Sequence, residues 1–195
     1  MRYLIIITTV LLYFKTFSME KIFPEKEVSI KIMKVIDSNR VYKKSVVDSK
    51  DKIQSLNYVI AGLHPNKCRK ALKKLSRYEK FHEYLDLVKV SGYSEKSKEV
   101  YLYVDSALMP FPMSLKFKLD RIKKVGHYHF YFDQGFLKGL KGNIFISEHK
   151  NRCMFYSTTY WKGPKSKIPD TIFEVFTETV GELAMKALFK STRQL

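Results

Sequence analysis

The segment SKIPDTIFEVFTETVGELAMKALFKSTRQ, residues 166–194, constrains this chain more than any other. It reads as one long helix. Pro169 suits a first turn, Asp170 and Glu174 stand near the positive end of the helix dipole, and Lys190 and Arg193 near the negative end. Ile172, Phe173, Phe176, Val180, Leu183, Ala184, Ala187 and Leu188 form a wide apolar stripe. A helix over residues 168–191 is about 36 Å long, enough to cross a sheet of six or seven strands. The rest of the chain must therefore supply a broad apolar face to receive it. Gly181 interrupts the stripe at a cost of about 1 kcal/mol relative to Ala, so either a close strand or a ligand needs room there.

The preceding residues supply such a face. Between Leu85 and Trp161 apolar and polar residues alternate and turn signals recur, which predicts antiparallel strands at 85–91, 99–106, 113–122, 126–133, 141–149 and 152–161. In MSLKFKLD, Met113, Leu115, Phe117 and Leu119 point one way and Ser114, Lys116, Lys118 and Asp120 the other. In HYHFYFD, Tyr128, Phe130 and Phe132 oppose His127, His129 and Tyr131. Upstream, LNYVIAG at 56–62 is a further strand. From Pro65 onward, Leu72, Leu75, Tyr78 and Phe81 mark one kinked or two short amphipathic helices. Residues 19–55 read as an N-terminal extension, with a hairpin or two edge strands about Asp37-Ser38-Asn39. With 45% hydrophobic residues in 195, one globular domain with a real core is expected.

The charge fixes a sign rather than a partner. Lys plus Arg number 36 against 19 Asp plus Glu, a formal net charge of +17 that attracts any polyanion. The basic residues are scattered, from Lys43-Lys44 through Lys67, Arg69 and Lys70 to Lys162, Lys165 and Lys167, with no Arg-rich tail. A sheet that binds RNA shows aromatics beside basic residues on an uncovered face. Here a long apolar helix has to cover a face, so no nucleic acid is expected as a partner.

At the N-terminus Arg2 is followed by YLIIITTVLLYF, then Lys15 and TFS, a signal-peptide pattern with a cut after Ser18. Twelve helical residues span about 18 Å against a hydrocarbon core of about 30 Å. Residues 1–18 are therefore expected to be cleaved from an exported, periplasmic or secreted chain, with an uncleaved membrane tether as the alternative. Cys68 and Cys153 then meet an oxidising compartment, where a single disulfide and two buried thiols fit the sequence equally well. No GxSxG, HExxH or phosphate-binding glycine loop occurs. His127 and His129 share a strand face, but that face opposes the apolar one and no third ligand is evident, so neither a metal nor a cofactor is expected.

Strand, short helices, six strands and a long C-terminal helix, in that order, resemble the START-like superfamily, also called helix-grip or SRPBCC. Its members include polyketide cyclases, plant allergens of the birch-pollen type, coenzyme-Q-binding proteins and lipid-transfer START domains. Three stretches carry the resemblance, which covers about residues 56–191. RYEKFHEYLDLVKV (77–90) is similar to the family's aromatic helix end running into the second strand. MPFPMSLKFKLDR (109–121) is similar to its proline-bounded loop and following strand, although the family's Arg-Asp pair stands here as KFKLD. LKGNIFISE and CMFYSTTYWKGPKSKIPDTIFEVF are similar to its last hairpin and the start of the gripping helix.

The resemblance implies an α+β domain over residues 56–195, with a curved antiparallel β-sheet of six to seven strands wrapped around the C-terminal helix and two short helices after the first core strand. It also implies an elongated cavity between sheet and helix, walled by Met113, Leu115, Phe117, Phe130, Phe132, Phe145, Phe155, Phe176 and Val180. The expected work is binding, and in some members transport, of a hydrophobic small molecule such as a lipid, isoprenoid or polyketide, with no bond made or broken. Two alternatives stay open: a cyclase- or dehydratase-type enzyme with Glu148, His149, Tyr156 or Tyr160 inside the cavity, and an envelope interaction protein with a basic face. Leu108, Met109 and Phe111 would form a loop tip that touches an anionic membrane surface.

Overall fold

The structure is a computed structural model that describes residues 29–107, 112–135 and 137–191. The expected signal peptide, residues 1–18, and the loop residues Leu108, Met109 and Phe111 lie outside these. Eight strands form one antiparallel sheet: β1 (Tyr42–Lys50), β2 (Ile53–His64), β3 (Val88–Ser94), β4 (Glu99–Val104), β5 (Met113–Leu119), β6 (Gly126–Tyr131), β7 (Lys141–His149) and β8 (Arg152–Pro164). Their order is β1-β2-β8-β7-β6-β5-β4-β3, so the only long jump pairs β2 with β8. Two-residue turns set the registers of the β1–β2 and β7–β8 hairpins. In the β7–β8 hairpin Lys150 and Asn151 both take positive φ (48° and 62°), the geometry that matches the twist of paired strands.

Among the described residues four helices complete the fold: α1 (Ile30–Asp37), α2 (Cys68–Leu75), α3 (Phe81–Tyr84) after a 3-10 turn at Tyr78–Lys80, and α4 (Asp170–Ser191). The curved sheet wraps α4, which is the helix-grip arrangement. The sheet has one strand more than the six to seven expected, because β1 comes from residues assigned by the sequence to an extension. Residues 30–37 are also helical where a hairpin was expected. Ile32 and Ile36 fit both a two-residue and a four-residue period, and the Ser29 side chain decides between them by accepting the Ile32 N–H at the helix start. Asn39 (φ 62°) then turns the chain into β1.

α1 lies on the outer face of the sheet, where Ile32 and Ile36 bury against Ala61, Leu63, Phe145, Met154 and Tyr156. The inner face carries the main core. Cys68 and Cys153 are bridged, with Cα atoms 4.4 Å apart, which ties the start of α2 to β8. The first half of α4 rests on a hydrophobic core, with Phe173 edge-on to Trp161 and Phe176 packed beside them.

The other side of α4 is held to the edge strand by carboxylates. Asp170, Glu174, Glu178 and Glu182 recur every four residues and meet Ser49, Val47, Ser45 and Lys43, every second residue of β1. Ser49 Oγ donates to Asp170 at 2.6 Å, Val47 N–H to Glu174 at 2.7 Å, Ser45 N–H to Glu178 at 2.8 Å, and Lys43 pairs with Glu182. The periods match because four helical residues rise about 6.0 Å and two strand residues about 6.6 Å.

Candidate functional site

Between the second half of α4 and the inner face of the sheet lies a cavity of about 350 Å3. Alternation along the strands brings its walls together. β2 contributes Tyr58 and Ile60, β5 Phe117 and Leu119, β6 Phe130, β7 Ile144, and β8 Phe155 and Ser157. Phe132, just past β6, stacks on Phe117 with ring centroids 4.7 Å apart. The short helices close one end with Leu72, Leu75, Tyr78 and Phe81. α4 forms the roof with Gly181, Met185, Leu188 and Phe189.

Of the nine wall residues expected from the sequence, Phe117, Phe130, Phe132 and Phe155 line this cavity. Met113, Leu115, Phe176 and Val180 do not. Leu115 and Phe176 pack beside it, into the hydrophobic cluster around Trp161 and Phe173. Phe145 is a correction of face. It points outward, stacks on His127 at 4.2 Å and packs beneath α1. Ile144 and Ile146 on either side of it face inward, and Ile144 takes the place expected for Phe145. The membrane-contact residues Leu108, Met109 and Phe111 fall outside the described residues.

Three polar side chains reach the cavity, and two of them are satisfied. Tyr78 Oη donates to the Asp120 carbonyl at 3.1 Å and accepts the Ile122 N–H at 3.0 Å. Ser157 Oγ donates to the Asn143 carbonyl at 2.9 Å. Tyr58 differs. Its side chain is buried, and its hydroxyl has no hydrogen-bond partner among the described residues. Burial first, then the carboxylates of Glu178 and Glu182, push its pKa well above the ordinary tyrosine value, so it stays protonated.

Gly181 faces this hydroxyl. A Cβ there would lie far inside van der Waals contact of Tyr58 Oη and 2.9 Å from the ring carbon that bears it. This is the room that the helix glycine provides. A second close approach occurs at Gly62 of β2, where a Cβ would sit 2.6 Å from Met185 Sδ.

The residues weighed for acid/base chemistry do not line the cavity. Glu148 accepts the Cys68 N–H at 2.7 Å at the start of α2. His149 hydrogen-bonds Asp37 at 3.0 Å, and Lys150 first, then His149, hold the Asp37 carboxyl below the usual carboxylate range. Tyr156 packs under α1, and Tyr160 is exposed on the outer face. His127 and His129 lie on that outer face too, 4.3 Å apart, with His127 Nε2 3.0 Å from Asn143 Oδ1. Among the described residues no group of three or more His, Cys, Asp or Glu is placed to hold a metal ion.

Sequence reasoning missed Tyr58, Ile60, Met185 and Phe189 as wall residues. The first two alternate along β2 in LNYVIAG, a signal present but used only to name a strand. The last two lie beside the apolar stripe drawn for α4, whose true inner face is rotated from it: Ile172 and Leu183 are exposed, whereas Phe189 is buried.

No protein-family model and no curated protein matches this chain. Solved structures do. A START superfamily protein from Mycobacterium smegmatis superimposes with a TM-score of 0.53 at 11% identity, over 74% of this chain and 99% of that one. Ara h 8.0201 gives 0.51 at 10% identity, over 71% and 97%. The di-domain ARO/CYC StfQ, from the steffimycin biosynthetic pathway, gives 0.55 at 8% identity, over 71% of this chain and 49% of that one. At these identities the likeness is one of fold, and the fold is START-like.

Proposed function

We propose that this protein binds a hydrophobic small molecule, such as a lipid, isoprenoid or polyketide, between the sheet and the second half of α4. The observation that carries this reading is the cavity itself, about 350 Å3 of space walled by aliphatic and aromatic side chains. Small-molecule sites span about 300–1,000 Å3 and are mostly apolar with a few polar groups that orient the ligand. Each 40 Å2 of apolar ligand surface withdrawn from water contributes about 1 kcal/mol. A chain that fills such a space therefore binds without a charged anchor, against the cost of immobilising it. The candidate acids and bases Glu148 and His149 are engaged in structural contacts elsewhere, which favours holding a molecule over converting it. The START superfamily protein and StfQ of the steffimycin biosynthetic pathway share this fold, and they support the reading by analogy of fold alone.

The test is fluorescence of the neutral dye phenylnaphthylamine, which brightens in apolar surroundings. Stoichiometric brightening with the oxidised protein is expected. Ser157→Leu and Ile144→Trp, which fill the space from two strands, should abolish it while the far-ultraviolet circular dichroism is kept. Brightening that survives both fillings would place the dye elsewhere and remove the support for this reading.

A further inference from the structure

We propose that the cavity selects an uncharged amphiphile, an apolar chain carrying one hydrogen-bond acceptor such as an ester, ketone or ether oxygen, to which Tyr58 Oη donates a hydrogen bond. The inference rests on the hydrophobic-ligand reading of the cavity and adds the chemistry of what fills it.

The argument starts from satisfaction of polar groups. Buried hydroxyls are nearly always hydrogen-bonded, and one left without a partner is an exception that calls for an explanation. Tyr58 is 9% exposed, its ring is part of the cavity wall, and its hydroxyl finds no partner among the described residues. The other two polar groups in the wall, Tyr78 and Ser157, already donate to backbone carbonyls. A ligand that reaches Tyr58 Oη therefore meets one unused donor in an otherwise apolar wall, which suits one acceptor and no more.

The charge of the ligand is limited by what the wall can solvate. Glu178 and Glu182 on α4 both act on the Tyr58 hydroxyl. Lys43 from β1 and Lys186 from α4 are near, but both are paired with Glu182. Glu178 is engaged by Ser45, which carries no charge. The two lysines and the two carboxylates balance, but a carboxylate headgroup would give up its hydration for one donor in an otherwise apolar wall, whereas a neutral oxygen gives up little and gains the hydrogen bond.

Gly181 completes the device. On the helix side the hydroxyl is covered by backbone, with no side chain between. The hydroxyl itself is covered, so α4 must move outward at Gly181 as the ligand enters. Most of the wall is indifferent to the identity of the apolar chain, so discrimination rests on the single oxygen.

The experiment is displacement of phenylnaphthylamine from the oxidised protein by methyl laurate, dodecane and laurate, in the wild type and in Tyr58→Phe. The wild type should bind methyl laurate about tenfold more tightly than dodecane, as one hydrogen bond to a buried donor allows. Laurate should bind more weakly than its methyl ester. In Tyr58→Phe the advantage of methyl laurate should vanish while dodecane holds its wild-type affinity. Equal affinity of methyl laurate and dodecane in the wild type overturns the inference and leaves the hydrophobic-ligand reading standing. So does a preference for laurate, or a Tyr58→Phe effect equal for all three molecules, which would mark a packing role. Failure of the dye and all three molecules to bind overturns both.

Discussion

Replacing Gly181 by Ala sets two effects against each other, and the structure says which wins. An exposed helix interior would gain about 1 kcal/mol from this change. Here the new methyl group meets the Tyr58 hydroxyl, with the ring carbon behind it at 2.9 Å. The ring is itself held between Gly181 and the core around Val47, Leu56 and Trp161, so it cannot simply turn away. Overpacking of this kind costs about 1–3 kcal/mol and usually more than the propensity gain. A net loss of about 1 kcal/mol is expected, or about 2–4 °C in Tm for a chain of this size. Tyr58→Phe alone should be neutral or stabilising by up to about 1 kcal/mol, since it deletes a buried hydroxyl that has no partner. The double variant should recover part of the loss, with a coupling of about 1 kcal/mol between the two sites. Urea unfolding followed by circular dichroism on the four proteins measures the cycle. A Gly181→Ala protein more stable than wild type, with no coupling to Tyr58, would refute the close seating of α4 on β2.

Other perturbations probe other parts of the fold. Reduction, or Cys68→Ala with Cys153→Ala, should lower stability by up to about 4 kcal/mol, since the bridge closes a separation of 85 residues; denaturant unfolding with and without reductant reads this. Phe145→Ala should cost about 3–5 kcal/mol yet leave dye binding per folded molecule unchanged, whereas Phe155→Ala should alter both, because the two rings lie on opposite faces. Glu174→Ala should leave the Val47 N–H without its acceptor and speed hydrogen exchange at that amide, with a loss of about 1–3 kcal/mol. Acid should also loosen α4. Lys186 and Lys43 hold the Glu182 carboxyl below its ordinary value of 4.5, so its stabilisation is full above that pH and disappears as the pH falls through the lower folded value; Glu182→Gln should flatten the acid limb of a Tm-against-pH curve.

The parts of this molecule written in long periods were legible. α4, the strand run and their order follow from twenty-odd residues keeping one period, and no single substitution could hide that. Short ambiguous runs were not legible. In NIFISE three apolar residues stand in a row, so alternation alone cannot say whether Phe145 or its isoleucine neighbours face inward; the presence of α1 on the outer face decides it. That helix was itself misread, because IKIMKVID fits two periods and only the Ser29 cap breaks the tie. The pairing of Cys68 with Cys153 and the use of Glu148 at the start of α2 depend on distances between residues about eighty positions apart, which no local pattern records. The anomaly at Gly181 was visible, but its partner Tyr58 was not. A glycine announces that something comes close without saying what.

The acidic ladder of α4 has a bearing on how this protein fails. An edge strand with free N–H groups invites pairing with another chain. Here the inviting groups of β1 at Ser45 and Val47 are occupied by Glu178 and Glu174. The helix that roofs the cavity is also the guard of the sheet's border. If α4 lifts along its whole length, the molecule presents an unpaired border and a bared apolar floor at once, both sticky to a second copy. Opening that starts at the Gly181 half, with Glu174 still in place, avoids this. Damage to the ladder should therefore show itself first as clumping on storage or mild warming, before any loss of grip on a ligand is measured.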